Sequence, residues 1–483
     1  MIRPAVLLGK LGWLVLIVGA AMLSCLPWSL AYNENVTIPI LEAAILTIVC
    51  GALLTSLSPK NEQITYKEGF AVVSLGWLLV SIFGTLPYLF SGYLGSFADA
   101  FFETVSGFTT TGASVVTDVE SWPRGLLFWR SLTQWLGGIG IIALFVALMA
   151  SLGTRAKQLF KAELPGPVSD NISPRIRDNA RKLLMTYLLL SAGCALALYT
   201  AGMDSFDALC NTFATVATGG FSTKNTSIAY YASPVIEWTI LIFMFLSGTN
   251  FALHFIAFKE GRPLVYWKNP EFKLYAGIIA AASLLVFLNL QFQTGNTLWG
   301  DNLRGAIFQI ISIVTTTGYA TEDYSLWPHL STALILLMMF VGGCSGSTSG
   351  GIKPGRYIIL LKRTGIELKK MLHPKAVLPL RFGERFISED VAVNVAQFFF
   401  FYMVLMAMGM LYLTSLGLDI FSSISASAAC LGNVGPGLGL VGPVQNYFYI
   451  PDGGKYVLSF LMLVGRLEIY PLLLIFLPFF WRE

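Results

Sequence analysis

Four short stretches of this chain combine threonine, glycine and other small residues so that they could present backbone oxygens to a cation. They read Thr109-Thr110-Thr111-Gly112-Ala113-Ser114, Thr218-Gly219-Gly220-Phe221-Ser222, Thr315-Thr316-Thr317-Gly318-Tyr319 and Gly432-Asn433-Val434-Gly435-Pro436-Gly437. Each follows a short, mostly apolar run, at 100–108, 208–217, 306–314 and 423–431. Glycine opens backbone conformations closed to other residues and leaves room at a crowded axis. Threonine adds β-propensity and a small hydroxyl. Four such strands around one axis would aim carbonyls at a common line, which is the means of replacing a cation's hydration shell. Short helices whose C-terminal ends face that line would add partial negative charge.

The elements that position these strands follow from length. A helix of about ten residues cannot cross a bilayer, which takes roughly 20. Its extended tail cannot face lipid, where unpaired backbone groups cost several kcal/mol each, so it must line water or protein. Each unit therefore reads span, short helix, glycine-bearing strand, span. Taking Gly112, Gly220, Gly318 and Gly435 as equivalent spaces them 108, 98 and 117 residues apart. Thirteen positions upstream stand Asp99-Ala100-Phe101, Asp207-Ala208-Leu209, Gly305-Ala306-Ile307 and Ser422-Ser423-Ile424. A polar or small residue, a small one and an apolar one recur each time, as at the start of a short helix. This register favours Gly220 over Gly219. Gly432 rivals Gly435, because Asp419-Ile420-Phe421 lies thirteen before it, although Asn433-Val434-Gly435 fits the Thr-x-Gly pattern better. Glycine and threonine also mediate ordinary helix packing in membranes. Recurrence of four clusters in register argues for the pore-lining role.

Composition agrees. Of 483 residues, 55% are hydrophobic and 12% charged, against about 25% charged in a soluble domain. Spans are expected at 7–30, 36–57, 69–91, 125–152, 183–202, 233–258, 272–292, 330–344, 391–416 and 456–481. The result is an all-α integral membrane protein of ten transmembrane helices. Its parts are a two-helix extension (1–68) and four pore repeats (69–158, 159–270, 271–388 and 389–483). The segments between alternate spans (the first ten residues, 58–68, 154–182, 259–273, 353–390 and 482–483) hold 25 of the 31 basic residues and 12 of the 27 acidic ones. Basic residues accumulate on the cytoplasmic side, so these segments and both termini are inside. The basic loops are read as topogenic, not as a nucleic-acid surface. The first apolar run is longer than a signal peptide's ~7–15 residues and reads as a retained helix. The outer side is acidic, with Asp99, Glu103, Asp118, Glu120, Asp204, Asp207, Glu322 and Asp323, which would concentrate cations.

These residues resemble the Trk/Ktr/HKT superfamily of potassium transporters, most closely its bacterial TrkH/TrkG type. The two extra N-terminal spans and Asn433-Val434-Gly435-Pro436-Gly437 point to that type, and the likeness covers essentially the whole chain. It implies a potassium-selective conducting subunit, not an enzyme. The selectivity filter would be built from Thr111 and Gly112, Gly219 and Gly220, Thr317 and Gly318, and Val434 and Gly435, with Thr110, Thr218, Thr316 and Asn433 forming the layer beneath. Glycine at position 112 implies potassium, since similar plant pores with serine there favour sodium. The resemblance also implies a bacterial inner-membrane homodimer and a cytosolic nucleotide-binding ring, called TrkA in the TrkH type. The basic inner loops would be a docking surface for it. No cofactor is implied for this chain beyond transported potassium. Passive flux and coupling to protons or sodium both stay open, although no intramembrane carboxylate relay stands out.

Gly342, Gly343, Gly346, Gly350, Gly351 and Gly355 crowd one stretch inside an expected span. Such a run cannot hold a helix, at about 1 kcal/mol per glycine, and irregular backbone at that depth must border a water-filled cavity. The resemblance makes it a gate beneath the filter. Arg466 lies in the last span, where an ion needs a partner or water. Glu468 is two residues on and does not share its helix face, so Arg466 is read as facing the pore, as a matching family residue does. A phosphate-binding loop is excluded because Lys353 is followed by Pro354. Gly343-Cys344-Ser345-Gly346 resembles the Gly-x-Ser-Gly of rhomboid-type intramembrane proteases. That reading makes Ser345 a nucleophile, but a base within reach is then needed, and the only later histidine is His373. The six cysteines and three histidines are scattered and support neither disulfides nor a zinc site. Arg130 is expected to pair with an acidic residue such as Glu103.

Overall fold

Long apolar runs make helices account for nearly all regular structure in this protein. The computed structural model describes residues 2–58, 65–151, 176–294, 299–383 and 385–482. The basic inner loop 154–182 and the boundary between the first two expected repeats lie largely or wholly outside the described residues. Among the described residues, six helices are long and apolar enough to cross a membrane: Pro4–Ala31, Thr37–Ser56, Lys67–Ser91, Ala180–Thr200, Pro270–Gln293 and Glu389–Ser415. Arg124–Ser151 adds a continuous helix of 28 residues.

Beyond the short interruptions at 24–25 and 85, three expected spans depart further from an unbroken helix among the described residues. The one at 233–258 is two helices, Pro234–Ser247 and Phe251–Glu260, bent by 100° at their junction. Asn250 caps the second of them by accepting from the Ala252 N–H. The one at 330–344 is helical only over His329–Met338, because the glycines beyond it take the chain into a parallel bridge between Val341 and Ile352. The last span divides into Asp452–Arg466, Tyr470–Ile475 and Pro478–Arg482. Its first break carries two positive φ angles, 58° at Glu468 and 69° at Ile469. A β-branched residue there is a genuine outlier. The all-α expectation also needs a small correction. Arg381–Phe382 and Arg385–Phe386 pair as an antiparallel hairpin.

The N-terminal extension is held together by backbone fit and joined to the rest by charge. A Cβ on Gly12 would come within 2.8 Å of the Gly51 carbonyl oxygen. The glycines therefore let Pro4–Leu23 and Thr37–Ser56 approach closely, as small residues do in membranes. Arg3 pairs with buried Glu68 at 2.8 Å. The Glu34 carboxylate accepts from Arg124 N and Gly125 N, so the extension caps the N-terminus of the helix Arg124–Ser151.

Candidate functional site

Four short helices, Phe97–Phe108, Ser205–Val216, Trp299–Val314 and Ile420–Leu431, lead into the four threonine–glycine segments. Those of twelve residues are about 18 Å long, short of a roughly 30 Å hydrocarbon core. Ser96, Asp204 and Asp419 cap three of them by accepting from backbone N–H groups.

All four end alike. Thr110, Thr218, Thr316 and Asn433 take the left-handed conformation, with φ of 52°, 54°, 56° and 55°. The N–H of the following residue then reaches back five positions, Thr111 to Ser106 O, Gly219 to Ala214 O, Thr317 to Ser312 O and Val434 to Ala429 O, at 2.7–2.9 Å. This is the Schellman closure of a helix, usually made with glycine. Threonine in that position stores strain of about 1–3 kcal/mol, and here it does so three times. One residue later the chain turns again at Gly112, Gly220, Gly318 and Gly435, with φ of 83°, 78°, 79° and 98°. Gly219 and Gly432 do not share that conformation; Gly432 instead ends the fourth short helix with ordinary right-handed angles.

The four segments meet in a closed cycle. A Cβ on Gly112 would strike the Gly219 oxygen, one on Gly220 the Thr317 oxygen, one on Gly318 the Val434 oxygen, and one on Gly435 the Thr111 oxygen. Each contact runs from one segment to the next and the last returns to the first. Thr110, Thr111, Thr218, Thr316, Thr317, Asn433 and Val434 are all fully buried. The Thr111 and Thr317 hydroxyls bond to those of Thr109 and Thr315, at 2.7 and 2.8 Å. Asn433 Nδ2 donates to Thr111 Oγ1 at 3.0 Å and to Met462 O at 2.9 Å.

The glycine-rich segment lies against these helix ends. Gly350 N donates to Thr316 Oγ1 at 2.7 Å, and Thr348 Oγ1 to Val216 O at 3.0 Å. A Cβ on Gly350 would lie 2.5 Å from Gly432 O. Gly342 N bonds Ile352 O, and Gly351 (φ 65°) packs on Gly342. The segment also fills the break at 247–250: Cys344 N donates to Gly248 O, Phe251 N to Gly346 O, and a Cβ on Gly343 would lie 2.7 Å from Gly248 O. Two irregular stretches thus satisfy each other's backbone groups, which lipid could not do. Gly355 sits in the first turn of the helix Pro354–Leu372, beyond the irregular stretch. Gly248 and Asn250 are the local signals that sequence reasoning passed over.

Arg466 is 2% exposed. Its Nη1 donates to Thr348 O at 2.6 Å and its Nη2 to Gly137 O at 3.5 Å. It makes no ion pair with a carboxylate among the described residues. Glu468 pairs instead with Arg356, at 2.6 Å. Lys353 Nζ rests on the carbonyls of Ser349 (2.5 Å) and Gly350 (3.3 Å). Ser345 Oγ donates to Glu271 Oε1 at 2.9 Å, and the same oxygen takes Ser345 N and Gly355 N. The hydroxyl is an anchor for the loop, bonded to a carboxylate and not to a histidine.

The outer acidic residues are less free than their number promised. Glu103 pairs with Arg130 at 2.8 Å, both buried, and also accepts from Ser114 Oγ and Val115 N. Asp99 pairs with Lys455 at 2.5 Å, and Asp207 with Lys224 at 3.6 Å. Asp118 stays exposed, and the Asn225 amide 2.8 Å away holds its carboxyl below the ordinary range. Replacing Glu103 with glutamine is expected to destabilise the protein by about 3–5 kcal/mol, because Arg130 is left buried without a counter-charge. A thermal melt in detergent that matches the wild type would contradict this.

The comparisons with known proteins fit this geometry. A family profile described as TrkH, a cation transport protein, matches residues 38–482. The chain is 39% identical over 476 residues, 98% of each protein, to the Trk system potassium uptake protein TrkH of Escherichia coli (strain K12). It is 35% identical over 484 residues to TrkG of the same organism, covering 98% of this chain and 97% of that one. The crystal structure of the potassium transporter TrkH from Vibrio parahaemolyticus superposes with a TM-score of 0.91 at 36% identity, covering 100% of both chains. With one profile along nearly its whole length and full-length likeness in sequence and in structure, the chain belongs to the TrkH family.

Proposed function

We propose that this chain is the potassium-conducting membrane subunit of an uptake system. Four span–pore-loop–span units (69–158, 159–270, 271–388 and 389–483) surround one pore, with 1–68 as an added pair, ten spans in all and both termini in the cytoplasm. Potassium is dehydrated at the carbonyls of Thr111, Gly112, Gly219, Gly220, Thr317, Gly318, Val434 and Gly435. The layer below is Thr110, Thr218, Thr316 and Asn433. The glycine-rich segment and Arg466 close the inner side. The subunit sits in the bacterial inner membrane as a homodimer, and a cytosolic nucleotide-binding partner opens it.

The observation that carries this reading is the cycle of glycine-to-carbonyl contacts through all four segments. Backbone oxygens arranged around a line are the chemistry that exchanges water for protein at a cation. The relatives' names, which specify potassium uptake, support the choice of ion. The test is a bilayer recording of the reconstituted protein with its activating partner. The current is expected to reverse at the potassium equilibrium potential and to ignore an imposed proton gradient. Reversal independent of potassium would overturn the reading, and a shift with the proton gradient would replace passive flux by coupled transport.

A further inference from the structure

In the first and third units the residue before the positive-φ glycine is a threonine braced by a second threonine two positions earlier, Thr109–Thr111 and Thr315–Thr317. Both members of the brace are missing from the second unit, where Ala217 and Gly219 stand. The gap is filled from the neighbouring helix. Gln134, on Arg124–Ser151 and fully buried, donates from Nε2 to Gly219 O at 2.6 Å and accepts from Phe221 N at Oε1, 3.1 Å. The three atoms nearest to a Cβ on Gly219 are all from the Gln134 amide, and all would clash with it. Gly219 is therefore a glycine for a reason unlike Gly220's: it vacates the space that Gln134 occupies.

Gly219 O is also one of the four oxygens of the glycine-to-carbonyl cycle. Among the described residues no hydrogen bond reaches the other three, on Thr111, Thr317 and Val434. The ring thus holds three unengaged oxygens and one that already accepts a short bond.

We infer that Gln134 is a positioning residue that sets ion preference, by pinning the Gly219 carbonyl and drawing on its electron density. The inference rests on the proposed filter. A freed carbonyl would be a stronger ligand and could close in on a smaller ion. Both the field strength and the flexibility of the ring bear on potassium against sodium, and both changes favour sodium.

The test is sodium competition against potassium uptake in proteoliposomes, with Gly318→Ser measured in parallel. Gln134→Met keeps the side chain's length and removes both hydrogen bonds. It is expected to lower the potassium-over-sodium preference about tenfold at wild-type insertion. The double variant Gln134→Ala/Gly219→Thr refills the gap without supplying that donor, and carries the test alone should Gln134→Met fail to assemble. Its preference stays low if the donor matters. A wild-type preference in the double variant, or in Gln134→Met while Gly318→Ser loses its own, overturns the role of Gln134. If Gly318→Ser also keeps its preference, the filter reading falls first.

Discussion

Serine in place of Gly318 is expected to cost this protein most of its preference for potassium over sodium. Two effects act together. At φ of 79° a side chain brings strain of about 1–3 kcal/mol. The added Cβ also collides with the Val434 oxygen and lies 2.6 Å from Pro436 Cδ. The cheapest relief displaces that oxygen, which is proposed to bind the ion. A differential loss of roughly 2 kcal/mol amounts to about thirtyfold, read as a shift of reversal potential with potassium and sodium on opposite sides. Gly112, Gly220 and Gly435 also have positive φ and the same kind of contact, so serine at each should act alike. Gly432→Ser is the internal control. Its backbone is right-handed and its nearest atoms, Met339 O and Ala428 O, are 2.9 and 3.0 Å away, so a milder loss is expected. Unchanged selectivity in all four variants would remove the filter assignment.

The four segments were legible because each is local: a short apolar run, then a fixed spacing to a glycine. Even the weak point in that reading has a local answer. The caps Ser96, Asp204 and Asp419 each stand sixteen residues before Gly112, Gly220 and Gly435. Asp419, which looked like support for Gly432, is thus the cap that belongs with Gly435. Asp99 and Asp207, taken for helix starts, lie within the first turn. What stayed hidden depends on partners distant in the chain. The break at 247–250 is marked locally by Ser247-Gly248-Thr249-Asn250, but the backbone of 344–348 that satisfies it lies about a hundred residues on. Lys455 neutralises Asp99 across more than 350 residues, so a count of outer acids overstated the free charge. Gln134 gave no sign on its own, because its meaning lies in what Ala217 and Gly219 lack. Arg130 was the exception. The sequence suggests Glu103, on the first short helix, as one example of an acidic partner for it, and that is the pairing found.

Removing the charge of Arg466 is expected to raise potassium flux when no activating partner is present. The guanidinium sits beside the glycine-rich segment and bonds to carbonyls, and among the described residues no carboxylate pairs with it directly. At ~6 Å in an effective dielectric of about 20 it would repel a potassium ion by roughly 3 kcal/mol, which slows passage about a hundredfold. Arg466 also tethers the segment by holding the Thr348 carbonyl, and the two roles can be separated. Arg466→Gln keeps a hydrogen-bond donor and loses the charge, whereas Arg466→Ala loses both. Equal rises of about a hundredfold assign the barrier to charge. A rise in alanine alone assigns it to the tether, since a segment with one anchor fewer opens at lower cost. Shortening the loop within 346–351 should act in the same direction, but it also strips Phe251 N of its acceptor on Gly346, so only shortened proteins that keep potassium selectivity count. If the two arginine variants insert normally and leak no faster than wild type, the barrier lies outside this contact.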